Sequence, residues 1–151
     1  MEVNDEERNL EIQRLAADLF EVAGAMRRDG EAIARRAGQT QARWQVMWIG
    51  AAGGLTVPAI ARRLSVTRQN VQRIANDLVA DRLATFDRNP DHRRSPLLRL
   101  TPRGGEVLDE INRAAARRNL HTAAELGDDG TRRLRELLDH VRQALRTPLP
   151  D

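Results

Sequence analysis

Apolar residues recur three or four places apart along most of this chain, which predicts helices over most of its length. From Glu6 to about Met26, Leu10, Leu15, Leu19 and Val22 keep a helical pattern, and Asp29-Gly30 predicts a break after it. Thr40 stands where it would cap a second helix holding Trp44, Val46, Met47, Trp48 and Ile49, ended by Gly53-Gly54. Thr56 is placed to cap a short helix, with Pro58 tolerated in its first turn. Ile60 and Leu64 lie on one face of it, and Arg62 and Arg63 point elsewhere. Ser65-Val66 predicts a tight turn, with Val66 buried between two helices. Thr67 then caps a helix reaching about Ala80, whose buried stripe is Val71, Ile74 and Leu78.

The pattern changes after that helix. Leu83-Ala84-Thr85-Phe86 and Leu97-Leu98-Arg99-Leu100 are apolar runs of strand length, joined through a turn at Asn89-Pro90-Asp91. Thr101-Pro102 opens a long helix through Val107, Leu108, Ile111, Ala114 and Ala115 toward Leu120. Gly127 and Gly130 bracket a break, and a last helix runs from Thr131 to about Leu145, with Leu134, Leu137, Leu138, Val141 and Leu145 on one side. No internal repeat or low-complexity segment interrupts this order.

Helix, tight turn, helix, strand, basic loop and strand over residues 55–104 make a winged helix-turn-helix, whose second helix fits the DNA major groove. The expected fold is mostly α with a small two- to three-stranded wing. Residues 1–54 and 105–151 flank the winged segment within a single 151-residue domain. On the second helix, Gln69, Gln72, Arg73 and Asn76 face away from the buried stripe, with Arg68 beside them. Arg pairs with guanine O6/N7, and Gln or Asn with adenine N6/N7. Any surface helix has a polar face. The short helix before this one and the basic hairpin after it are what point to DNA. Thr67 and Asn76 would assist at backbone or base edges. Arg88, Arg93 and Arg94 crowd the hairpin tip, where they suit phosphate contact or insertion into the minor groove. The bland reading of that tip is a charged end that keeps a sheet edge soluble.

The segment resembles the winged-helix domain of the multiple-antibiotic-resistance-regulator (MarR) family of bacterial transcription factors. The resemblance rests on Leu55-Thr56-Val57-Pro58, Ile60-Ala61-Arg62-Arg63-Leu64 and Val66-Thr67-Arg68-Gln69-Asn70-Val71. The wing Asn89-Pro90-Asp91-His92-Arg93-Arg94-Ser95 and the closing Leu100-Thr101-Pro102-Arg103-Gly104 complete it. It implies that Arg94 is the minor-groove arginine. The family usually carries an acid two places before that arginine, where this chain has His92, so only Asp91 is left to substitute. The family often has Gly just after the recognition helix, where this chain has Arg82.

Charge sharpens the picture more than the pI of 10.9 does. All 25 basic residues are Arg, and without Lys or Tyr almost nothing titrates below Arg, so a small positive charge persists to high pH. Residues 55–104 hold ten Arg against four Asp, a net of +6, whereas the segments before and after carry −2 and −1. The positive charge is thus concentrated where DNA contact is expected. The absence of Cys excludes disulfides, thiolate metal sites and cysteine redox sensing. No segment has transmembrane length, and the acidic start is unlike a signal peptide, so the cytoplasm is expected. No catalytic fingerprint is present, which argues against an enzyme. His121 and Glu125, four apart, offer half a metal site with no second cluster to complete it, so neither metal nor cofactor is expected.

The first helix and the last two have apolar stripes without an obvious partner. Packing between two chains would bury them and set two recognition helices roughly 34 Å apart on a pseudo-palindromic operator. A monomeric bundle is the alternative. The resemblance implies a repressor released by a small aromatic or phenolic effector, with Arg43, Trp44, Met47 and Trp48 as its wall. Those residues read equally as plain core. A ligand-independent DNA-binding protein and a winged-helix module that binds protein are the competing functions. The second would expose apolar anchors where this chain exposes Arg, Gln and Asn.

Overall fold

A computed structural model describes residues 4–148. Among these, nine elements succeed one another: α1 (Asp5–Arg35), α2 (Gln41–Gly50), β1 (Leu55–Thr56), α3 (Val57–Leu64), α4 (Arg68–Ala80), β2 (Ala84–Asp87), β3 (Leu97–Leu100), α5 (Pro102–Leu126) and α6 (Gly130–Ala144). The strands form an antiparallel sheet in the order β1-β3-β2, with Leu55 opposite Leu98 and Phe86 opposite the same residue on the other side. The chain groups into two compact units, one up to Asn112 and one from Arg113 onward.

The core of the first unit is built from α2, α3, α4 and the sheet. Met47, Ile60, Val71, Leu78 and Leu98 are completely buried there, and Ile74, Ala75 and Leu83 close around them. Aliphatic residues carry this core, as the scarcity of aromatics requires. Helix starts are set locally. Thr40, Thr56 and Thr67 each accept a hydrogen bond from the backbone N–H three residues on, at Arg43, Ala59 and Asn70. Asn4 and Glu7 form a reciprocal capping box at the start of α1.

Two expectations fail. The break at Asp29-Gly30 does not occur, and α1 runs through it to Arg35. Gly30 is there for close approach. A Cβ on it would stand 2.8 Å from Cγ of Gln41 and 3.6 Å from the Trp44 ring, so the glycine lets α2 lie against α1. Val66 is not buried between the helices of the turn; it is 42% exposed. Ser65 ends α3 in the left-handed region, at φ 55°, and the Val66 N–H reaches back to the Ala61 carbonyl at 3.1 Å. The core at this turn is filled by Ile60, Ala61, Val71 and Ala75, and Val66, in the short link between α3 and α4, stays outside it. The sheet has three strands, within the two to three expected, and α5 extends past Leu120 to Leu126.

Glu31 ties α1 to α2. Its carboxylate accepts the Gln41 N–H at 2.8 Å and the Arg35 Nε–H at 3.1 Å. The Gln41 bond holds the Glu31 pKa below the usual glutamate value; burial works against this and Arg35 adds to it. A carboxyl with a depressed folded pKa stabilises the fold above its unfolded pKa, and that contribution is lost as pH falls through the folded value. Glu31→Gln should therefore narrow the stability gap to wild type as pH drops from roughly 6 to 3. Urea midpoints at a series of pH values check this, and a gap independent of pH would refute it.

α6 has no buried residue among those described, and its apolar side carries Leu134, 44% exposed, and Leu137, 60% exposed. On α1, Ile12, Val22 and Met26 are 63%, 55% and 70% exposed. No helix among the described residues is long and apolar enough to cross a membrane.

Candidate nucleic-acid interface

The α3–α4 pair places its polar face outward because its apolar face is consumed by the core. Val71, Ile74, Ala75 and Leu78 point inward, leaving Arg68, Gln69, Gln72, Arg73 and Asn76 exposed. Gln72 donates to Asn76 Oδ1 at 2.9 Å. Arg73 donates to Asn70 Oδ1 at 3.1 Å and pairs with Asp77 at 3.5 Å. Thr67 spends an acceptor position on the Asn70 N–H, which leaves its hydroxyl proton to donate.

β2 and β3 carry the wing. Arg88, Arg93 and Arg94 are all exposed in the loop between them. A cleft of about 630 Å³ runs between α4 and the wing, with Arg68, Gln69 and Gln72 on one wall and Arg94, Ser95 and Pro96 on the other. Val57 and Pro58 of α3 and Phe86 of β2 form its apolar floor. The structure thus brings Arg68, Gln69, Gln72 and Arg94 to one opening. Arg73 and Asn76 stand on the exposed face of α4, outside the cleft lining. Among the described residues no carboxylate pairs with Arg94.

The turn from α4 into the wing needs a left-handed residue, and Arg82 supplies it at φ 60°. Thr101 holds that strained conformation in place. It donates its hydroxyl to the Arg82 carbonyl at 2.8 Å and its N–H to the Leu83 carbonyl at 3.0 Å. The same hydroxyl accepts the Gly104 N–H at 3.0 Å, capping α5. The Leu100-Thr101-Pro102-Arg103-Gly104 segment therefore pins the base of the wing to α5, a role its sequence alone did not disclose.

The model of the MarR family matches residues 39–95. An uncharacterized protein of Mycobacterium tuberculosis is 49% identical over 140 residues, which span 93% of this chain and 98% of that protein. The chain belongs to the MarR family. It is a winged helix-turn-helix DNA-binding transcriptional regulator. Two solved MarR structures share the fold. One, a variant of E. coli MarR in complex with operator DNA, is 24% identical, with a TM-score of 0.72 over 87% of this chain and 95% of that one. The other, Staphylococcus aureus MarR in complex with salicylate and kanamycin, is 15% identical, with a TM-score of 0.75 over 90% and 93%.

The four residues considered as an effector wall are not brought together as one surface. Met47 is completely buried in the core. Trp44 packs half-buried against that core and donates its Nε1–H to Asn112 Oδ1 at 3.2 Å. Trp48, 56% exposed, lies under the Arg63 guanidinium, 6.0 Å from the ring centre. Arg43 neither faces water freely nor waits for an anion; it pairs with Asp81 at 2.6 Å and donates to Gln39 at 2.6 Å. It joins α2 to the C-terminal end of α4. Among the described residues no cluster of three or more His, Asp or Glu could hold a metal.

Proposed function

We propose that the chain is a dimeric repressor that reads a pseudo-palindromic operator through α4 and the wing. The observation that carries this is the cleft in which Arg68, Gln69 and Gln72 of α4 face Arg94 of the wing. A basic opening of that kind admits one sugar-phosphate strand while the helix reads the adjoining major groove. Gln69, Gln72, Arg73 and Arg68 read bases, Thr67 and Asn76 assist, and Arg88, Arg93 and Arg94 work the backbone and minor groove. The net +6 of residues 55–104 supports the same reading.

Dimerisation is supported by the exposed apolar stripes of α1 and α6, which a second copy would cover. Release by a small aromatic acid is the last part of the proposal. Its support is the fold shared with a MarR structure holding salicylate, and not Arg43, Trp44, Met47 and Trp48, three of which are committed to the fold.

Selection of duplexes from a random-sequence pool, followed by footprinting, tests the reading. Two inverted half-sites about one helical turn apart are expected, protected by two chains of 17.0 kDa each. Salicylate is expected to weaken that complex. A single half-site held by one chain would overturn the dimer, and recovery of no sequence preference would overturn operator reading.

A further inference from the structure

Asn89 is the one polar or charged side chain that is buried among the described residues, at 8% exposure, and it sits in the loop that holds the wing arginines. Its Oδ1 accepts the Asp91 N–H at 3.0 Å, and its Nδ2 donates to the Ser95 carbonyl at 2.9 Å. Between those two anchors, the Ser95 N–H donates to the His92 carbonyl at 3.0 Å. That last bond closes a four-residue turn whose two central residues are Arg93 and Arg94.

We propose that Asn89 is the positioning residue of the wing, fixing where Arg93 and Arg94 stand when the chain meets DNA. Building on the reading of the wing as a DNA contact, it explains how the tip keeps its shape with His92 in place of an acid. The turn bearing both arginines is clamped from beneath by a neutral amide, at its entry through Asp91 and at its exit through Ser95. The chemistry needs an amide: a carboxylate accepts but cannot donate to the Ser95 carbonyl, and an apolar side chain does neither. Both bonds are part-buried, and losing them frees the Asp91 N–H and the Ser95 carbonyl to turn toward water, which loosens the turn without unfolding the chain.

The experiment measures binding of a duplex selected by the wild-type chain, across a salt series, for Asn89→Ala, Asn89→Asp, Arg94→Ala and the Asn89→Ala/Arg94→Ala pair. Asn89→Ala should weaken binding roughly tenfold, the scale of one lost charged contact. It should also lower the salt slope as Arg94→Ala does, although every arginine is still present. In the pair, the asparagine change should cost little beyond Arg94→Ala alone. Asn89→Asp should fall at least as far, since its carboxylate also repels phosphate. Should the alanine variant not fold, faster exchange of the Ser95 N–H in Asn89→Asp is the readout that added charge alone would not move. Amide exchange at Asp91 should be slow in wild type and fast in Asn89→Ala, with the thermal midpoint little changed. Wild-type affinity and salt slope in both Asn89 variants, or fully additive losses in the pair, would overturn the inference while leaving the wing a DNA contact. If Arg94→Ala binds as wild type does, the wing reading itself fails and the inference falls with it.

Discussion

Gly104→Ala should leave the chain unfolded or barely folded, while Gly105→Ala, one residue along the same helix, should stabilise it. A Cβ at Gly104 would stand 1.9 Å from the Leu83 carbonyl oxygen and 2.9 Å from its carbon. Those are backbone atoms, so no side-chain rotation relieves the overlap. The Leu83 carbonyl also receives the Thr101 N–H, and Thr101 holds Arg82 in its left-handed conformation. Making room for the methyl therefore breaks the clasp between the α4–β2 turn and the first turn of α5. Overpacking of this kind costs about 3 kcal/mol or more, a large part of a small domain's total stability. At Gly105 a Cβ would meet nothing within 4 Å. There the helical preference for Ala is worth about 0.5–1 kcal/mol in the opposite direction. Urea unfolding of the two variants checks both signs, and a Gly104→Ala midpoint equal to wild type would refute the clasp.

That contrast also marks what sequence patterns reveal in this chain. Caps at Thr40, Thr56 and Thr67, and the stripe Val71, Ile74 and Leu78, were legible because a cap or a helix face is decided within a few residues. Gly30 misled because a glycine reads as a break. Its actual partners, Gln41 and Trp44, approach through the packing of α1 on α2. Val66 misled because apolar character suggests burial, whereas it stands in the short link between α3 and α4, outside the core those helices share. At the interface, residue type and helical phase put Gln69, Gln72 and Arg73 on an outward face. The cleft joining α4 to Arg94 depends on the register of β2 on β3, which periodicity does not encode. Asn89 reads as an ordinary turn residue, since the carbonyl that identifies its role lies six positions away.

Arg73→Ala and Arg94→Ala should both weaken operator binding, but in ways that separate base reading from backbone contact. Arg73 stands at mid-helix on the exposed face of α4, held in the free chain by Asn70 and Asp77. Both of those bonds lie at the surface, so giving them up to reach a base costs little. If Arg73 pairs with guanine O6/N7, its loss should cost about 1–3 kcal/mol on the selected operator. The loss should be far smaller on duplexes altered at that one base pair, so the sequence preference relaxes there. Arg94 stands across the cleft from the reading helix. Its loss should weaken selected and scrambled duplexes by a similar factor and lower the salt slope by about 1. Titrations of both variants against operator, single-base variants and scrambled duplex, at several salt concentrations, give the four comparisons needed. Equal losses for Arg73→Ala on every duplex would place Arg73 on the phosphates, and an Arg94→Ala loss confined to one base pair would make the wing a reader of sequence.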